Sequence, residues 1–355
     1  MNLEQQYKNL IGSNLFEELN ERIEDLTRKK ILMVYSDNSK KNLGILLEDF
    51  SEFVNEFKIN FNFCKFVCNF SIKEDYFKSF NDSIEHNLDL VACLDEYDVI
   101  IVHDLTCLGL IKYKKNNKWI ADIHGEIENF FEEMLDMYDA RIVSSEMYKL
   151  NDKYNVIIPG INPFSDKNKE INSQAIIAKY NLPMNKPIVL EIAHSNNFID
   201  FVKICENIYG LGVDCTFVFA CLEQINFEVN GIIENNLYVL SERNDLLINA
   251  LQREAICVID SSDNLDLLLN IKESLWKRTS IICKGRADLE LYYKSAVYLV
   301  DMIHPLKIAE HVVYLANNKH KIKEIGSQGR DIVLKNNLLI HYAIDYFDLI
   351  NSLFY

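Results

Sequence analysis

The sequence predicts an α/β protein made of two doubly wound parallel-sheet domains. Three observations carry that expectation. Short β-branched or apolar runs alternate with amphipathic helical stretches along almost the whole chain, the signature of strand–helix–strand units. The alternation halts once, at NVIIPGINPFSDKNKE (155–170), where Pro159 fixes φ and Gly160 permits positive φ, and it resumes afterwards. The 355 residues are enough to enclose a separate core on each side of that joint. The domains are therefore expected at 1–165 and 166–338, followed by a last helix over 339–355.

Taken in order, residues 14–26 place Leu15, Phe16, Leu19, Ile23 and Leu26 on one helical face, with Asn14 and Glu17 as a capping box. A strand over 31–35 and a polar turn (SDNSKKN) come next. A helix follows, with Leu43, Leu46, Leu47, Phe50, Phe53, Val54 and Phe57 at core spacing, and this order opens a doubly wound domain. Further strands are expected over 59–67, 99–103, 119–123, 140–144 and 156–158. After the joint they recur over 188–192, 216–220, 237–240, 255–259, 280–283 and 297–300. Helical segments over 198–208 and 265–277 lie among them, and helices over 307–316 and 339–354 end the chain. Strands separated by helices pair in parallel. Ligands of such sheets sit beyond the carboxyl ends of the strands, so a cleft between the halves is the expected site.

A hydrophobic content of 49% and a charged content of 25% suit a globular protein. The net charge of −16 argues against duplex nucleic acid or an anionic membrane as partner, because phosphate binding needs clustered lysine and arginine. No apolar run approaches the roughly 20 residues of a spanning helix. The opening MNLEQQYKNL lacks the basic and apolar regions of a signal peptide, so a cytoplasmic location is expected. The nine cysteines are odd in number and scattered, mostly in strand-like runs such as those of Cys215, Cys257 and Cys283. Cys64 and Cys68 are the closest pair and have no histidine beside them, so reduced, buried thiols and no metal centre are expected.

Six strings carry a resemblance: DVIIVHDLTCLGL (98–110), KWIADIHGEIE (118–128), VIIPGINPFSDKNKE (156–170), KPIVLEIAHSNNFID (186–200), KESLWKR (272–278) and IGSQGRDIVLKN (325–336). In this order and spacing they resemble the trehalose synthase and trehalose phosphorylase branch of the family 4 glycosyltransferases. The resemblance implies the GT-B fold, two Rossmann-like domains facing a cleft, with a final helix that crosses back onto the first domain. It also implies retaining transfer of glucose from a nucleotide sugar.

The positions that would carry this chemistry depart from the family. Its SRFDPWKD pattern, with an Arg and a Lys for the diphosphate, reads AHSNNFID here, so His194 and Ile199 stand at the cationic positions. A desolvated, charge-assisted hydrogen bond from a cation at either position would be worth roughly 2–5 kcal/mol. The family's EGFGLTVxE segment opens a helix whose backbone N–H groups meet the donor, and here it reads LDLLLNIKE (265–273). Leu265, Asp266 and Leu268 replace its first carboxylate and both glycines, Asp263 and Asp266 add negative charge, and only Glu273 remains. Lys40, Lys41 and Asn42 replace a glycine triplet after the first strand, with Gly44 displaced into the next helix. A GGI turn becomes Ala287-Asp288-Leu289, and the family's HID becomes Asp122-Ile123-His124.

By this resemblance Glu273 is the remnant catalytic candidate, and His124, just past the strand over 119–123, is a second. The candidates for binding the donor are His194, Lys284, Arg286, Lys277 and Lys40. Ordinary structural roles compete for the same residues. Asp266, Asn270, Glu273 and Lys277 form a polar stripe expected to be a solvated helix face, with Glu273 and Lys277 paired at i, i+4. His103 and Asp104 are expected to cap the turn after their strand, and His194 with Ser195 to Asn197 to cap a helix.

Two functions follow. The first is a glycosyltransferase-like protein without catalysis or cofactor: a scaffold, a partner of another protein, a homo-oligomer or a binder of some other ligand. The alternative is an active retaining hexosyltransferase with a rebuilt donor site, its nucleotide sugar held by His194 with Lys284 or Arg286. No nucleophile elbow, P-loop or zinc-type His/Glu signature offers an unrelated chemistry.

Overall fold

The computed structural model describes residues 3–36, 41–68, 76–193, 195–221, 236–240, 244–261, 267–300 and 304–355. The chain divides into two compact units, Met1–Gly160 with Leu339–Tyr355, and Ile161–Leu338.

In the first unit, β1 (Ile31–Ser36), β2 (Phe61–Phe66), β3 (Val99–His103), β4 (Lys118–Ile123), β5 (Ala140–Val143) and β6 (Tyr154–Val156) form one sheet. Its order is β2-β1-β3-β4-β5-β6, with every pair parallel. All of β3 is buried, as a central strand covered on both faces must be. The second unit repeats the plan with β7 (Ile188–Ala193), β8 (Thr216–Cys221), β9 (Leu237–Leu240), β10 (Ala255–Asp260), β11 (Ser280–Lys284) and β12 (Val297–Val300). These lie in the parallel order β12-β11-β10-β7-β8-β9. Strand order therefore reverses between β1 and β3 in one sheet and between β7 and β10 in the other. Such switch points open a crevice at the carboxyl ends of the strands.

The expected elements recur with local differences. The strand expected over 156–158 lies at Tyr154–Val156, because its neighbour β5 ends at Val143, opposite Val156. The first expected helix begins at Ser13, with Gly12 at φ 85° as its cap and no side-chain cap bond, so Asn14 and Glu17 form no capping box. A helix at Leu3–Ile11, unforeseen from the sequence, precedes it and sets the buried Tyr7 edge-on to Phe53, 5.4 Å between centroids.

The last helix, Leu339–Ser352, belongs to the first unit. Its Tyr342, Tyr346 and Phe347 rings surround Phe50 at 5.4, 5.9 and 6.3 Å, and Asp348 pairs with Arg22 at 2.7 Å. In the second unit the helix Lys319–Asn336 closes on the helix Leu269–Trp276 through two glycines. A Cβ on Gly326 would lie 2.0 Å from the Arg278 carbonyl oxygen, and one on Gly329 would lie 2.5 Å from Leu275 Cδ2. Arg330 stacks its guanidinium over Trp276, 3.9 Å from the ring centre, and donates to the Trp276 carbonyl. Among the described residues no helix is long and apolar enough to cross a membrane.

Candidate functional site

The segment that the resemblance sets against a glycine-rich donor loop leads into the helix Leu269–Trp276. Its cap, Leu268, sits at φ 53°, ψ 25°, in the left-handed region that glycine occupies without penalty. The backbone thus keeps the conformation suited to the glycine that the resemblance places there, although a leucine now supplies the side chain. Leu267, Leu268 and Leu269 are all buried. Leu265, Asp266 and Asp263 lie outside the described residues, as do Lys40, the side chains of Lys41 and Asn42, and His194.

The helix is not a solvated surface, which corrects the expectation for its polar stripe. Glu273 is 5% and Lys277 6% exposed, with Lys167 and Asn168 of the 162–170 loop against them. Nor do the two side chains pair with each other as a surface couple. Glu273 Oε1 lies 3.6 Å from Lys167 Nζ, while Lys277 Nζ donates to Asn168 Oδ1 at 2.8 Å and to the Glu273 carbonyl at 3.1 Å. Burial pushes the Lys277 ammonium down to about 7, against the attraction of Glu273. Lys277 therefore ties the 162–170 loop to this helix.

At the β7–β10 switch point the described side chains are mainly acidic. Glu191, facing Ile259 across the pair, is fully buried and receives a bond from the Ser261 hydroxyl. Its Oε2 has no hydrogen-bond partner among the described residues. Burial raises the carboxyl to about 8, with the Ser261 bond opposing and Asp260 adding to the rise. Asn197 spans the switch point, donating to the Ser261 carbonyl at 3.2 Å and hydroxyl at 3.0 Å, instead of capping its own helix. Arg286 gives two hydrogen bonds to the buried Asp288, Nε to Oδ1 at 3.1 Å and Nη2 to Oδ2 at 2.6 Å. Its fork is thus turned inward onto a carboxylate. Lys284, at the end of β11, is exposed.

The first unit gathers a different group. Parallel register sets His103, last in β3, beside Asp122 in β4, and His124 follows two residues later. His103 Nδ1 lies 3.2 Å from Asp122 Oδ2, and His124 Nε2 lies 3.5 Å from Asp122 Oδ1. Tyr346, from the last helix, donates to Asp122 Oδ2 at 2.6 Å. Burial lowers His103 to about 4, outweighing the attraction of Asp122, so its ring is neutral at ordinary pH. Asp104 caps the following turn by accepting from the Thr106 N–H, as expected, whereas His103 takes no part in that cap.

Of the candidates, Glu273 and Lys277 share one helix, while Lys284 and Arg286 flank the end of β11. His124 joins Asp122, which the sequence analysis read with it as one string, and His103, which it read only as a turn cap. His103, Asp122 and Glu191 were missed as site residues. The signal for the first two was present: VHD and DIH end neighbouring strands, and pairing β3 with β4 in register brings them together.

No family model matches the chain. The trehalose synthases of Thermococcus litoralis and Pyrococcus furiosus are each 22% identical over 401 residues, covering 98% of this chain and 96% of theirs. That of Pyrococcus horikoshii is 24% identical over 296 residues, covering 73% of this chain and 70% of its own. Among solved structures, sucrose-phosphate synthase from Thermosynechococcus elongatus superposes with a TM-score of 0.69 at 12% identity, covering 92% of this chain and 99% of that one. HepE of Anabaena, solved with UDP and glucose, gives 0.69 at 11% identity, covering 92% and 100%. These likenesses agree with the two six-stranded parallel sheets. The chain has the GT-B fold and is similar in sequence to the trehalose synthases.

Proposed function

We propose that this chain is a non-catalytic member of the family 4-like glycosyltransferases, acting through binding or association instead of sugar transfer. The observation that carries the proposal is Arg286, a donor-binding candidate whose guanidinium is turned onto the buried Asp288 by two hydrogen bonds. A nucleotide diphosphate brings concentrated negative charge, and catalysis of its departure needs cations or free backbone N–H groups aimed at it. Here Arg286 is engaged by Asp288, and leucines precede the helix that would present its amides. Glu273 and Lys277 serve in this reading to bind the 162–170 loop to that helix.

The test is a thermal-shift panel with UDP-, GDP- and ADP-glucose. A nucleotide sugar at 100 times its dissociation constant adds about 2.7 kcal/mol, roughly 5–10 °C for domains of this size. No shift is expected with any of them. A shift accompanied by glucose transfer that Glu273→Ala abolishes would establish the active alternative.

A further inference from the structure

We propose that His103, Asp122 and His124 form a binding site for a divalent first-row transition-metal ion of the zinc type. The donor atoms of all three lie within 4.8 Å of one another. The separations on either side of the carboxylate are 3.2 Å and 3.5 Å. Ligands bonded to tetrahedral zinc at about 2.0–2.1 Å stand roughly 3.3–3.4 Å apart, so each histidine stands near ligand spacing from one oxygen of the carboxylate, His103 from Oδ2 and His124 from Oδ1.

Their hydrogen bonding points the same way. Both ring nitrogens of His103 and of His124, and Oδ1 of Asp122, are buried without a hydrogen-bond partner among the described residues. Buried polar atoms are ordinarily paired, and five orphans meeting in one place call for a shared guest. The chemistry of the donors selects that guest. Among the described residues no lysine or arginine pairs with the buried Asp122, so its charge lacks a compensating cation. Neutral imidazole and carboxylate suit zinc and its neighbours, whereas magnesium and calcium take oxygen donors.

The surroundings resemble a supporting shell. The Tyr346 hydroxyl bonds Asp122 Oδ2 and orients the carboxylate so that Oδ1 remains for an ion. Backbone register fixes two of the three ligands before any ion arrives. The two rings are 17° from parallel with centroids 5.8 Å apart, so binding turns one of them about its broad χ2 well. The His124 side chain is 6% exposed while those of His103 and Asp122 are 0% exposed, so His124 marks the side of entry. The site stands independently of any sugar chemistry.

The experiment titrates the chelator-stripped full chain with Zn(II) by calorimetry and with Co(II) by visible absorption. One equivalent should bind, with ligand-field bands of a nitrogen–oxygen site and no thiolate charge-transfer band. His124→Ala should weaken zinc binding by about a hundredfold and Tyr346→Phe by about tenfold, the range seen when ligand support is removed. Zinc-induced shifts of the His103 and His124 ring resonances in the unaltered chain give a readout independent of whether either variant folds. No binding to the unaltered chain, equal affinity in the His124→Ala variant, or a cobalt spectrum dominated by thiolate would each overturn the proposal.

Discussion

At the residue scale, two side chains stand where the local chemistry opposes them. Folded Glu191 keeps its proton up to about pH 8, whereas the unfolded side chain ionises near 4.5. Within that window the native state binds more protons, so stability is fully present below pH 4.5 and falls as the pH rises towards 8. Glu191→Gln should remove this slope, gaining roughly 3–5 kcal/mol on the native protein across the window in urea melts at matched pH. The second is Leu268. Leucine and alanine both pay roughly 1–2 kcal/mol for the left-handed region and glycine does not. Leu268→Gly should therefore be more stable than Leu268→Ala by about 1 kcal/mol, the reverse of the usual order. Equal stability would mean the φ of 53° is not held in solution. The loss of the glycine was visible in the string LDLLL, but its retained conformation was not, because a positive φ leaves no mark on the residue that adopts it. Glu191 was hidden for a related reason. One carboxyl within VLEIA reads as an exposed strand position until β8 and β10 are placed on either side of it.

At the scale of elements, the strands were legible and the faces of one helix were not. Apolar runs marked β3, β9 and β12 to the residue, although only β3 is buried along its whole length and the other two are half-buried edge strands. The helix Leu269–Trp276 misled because its polar stripe suggested water, whereas Lys167 and Asn168, more than a hundred residues earlier, meet that stripe and the helix Lys319–Asn336 packs on Leu275. Gly326 and Gly329, three residues apart, were the available sign that another backbone comes close. Gly326→Ala should cost at least about 2 kcal/mol, because its methyl would fall 2.0 Å from a backbone oxygen that cannot move without the turn at Arg278. Differential urea melting of this variant checks it. An unchanged midpoint would deny the close approach of the two helices.

At the scale of the whole molecule, the fold is set by features that owe nothing to a ligand. Sheet order, the Pro159-Gly160 joint and the last helix follow from hydrophobic pattern and backbone constraint. The last helix supplies a prediction of its own. Deleting residues 339–355 removes the aromatic partners of Phe50 and the Asp348 pairing with Arg22. Hydrogen exchange should then accelerate through β1 to β4 by at least tenfold while β7, β8 and β10 keep their protection. Uniform acceleration across both sheets would refute this assignment of the helix to the first unit.

That assignment also orders events during synthesis. Residues 161–338 leave the ribosome with everything their sheet requires, whereas the earlier-made half must wait for residues 339–355 before Tyr342, Tyr346 and Phe347 reach Phe50. The part translated first is the part completed last, and until then an aromatic surface is open to chaperones or to other nascent chains.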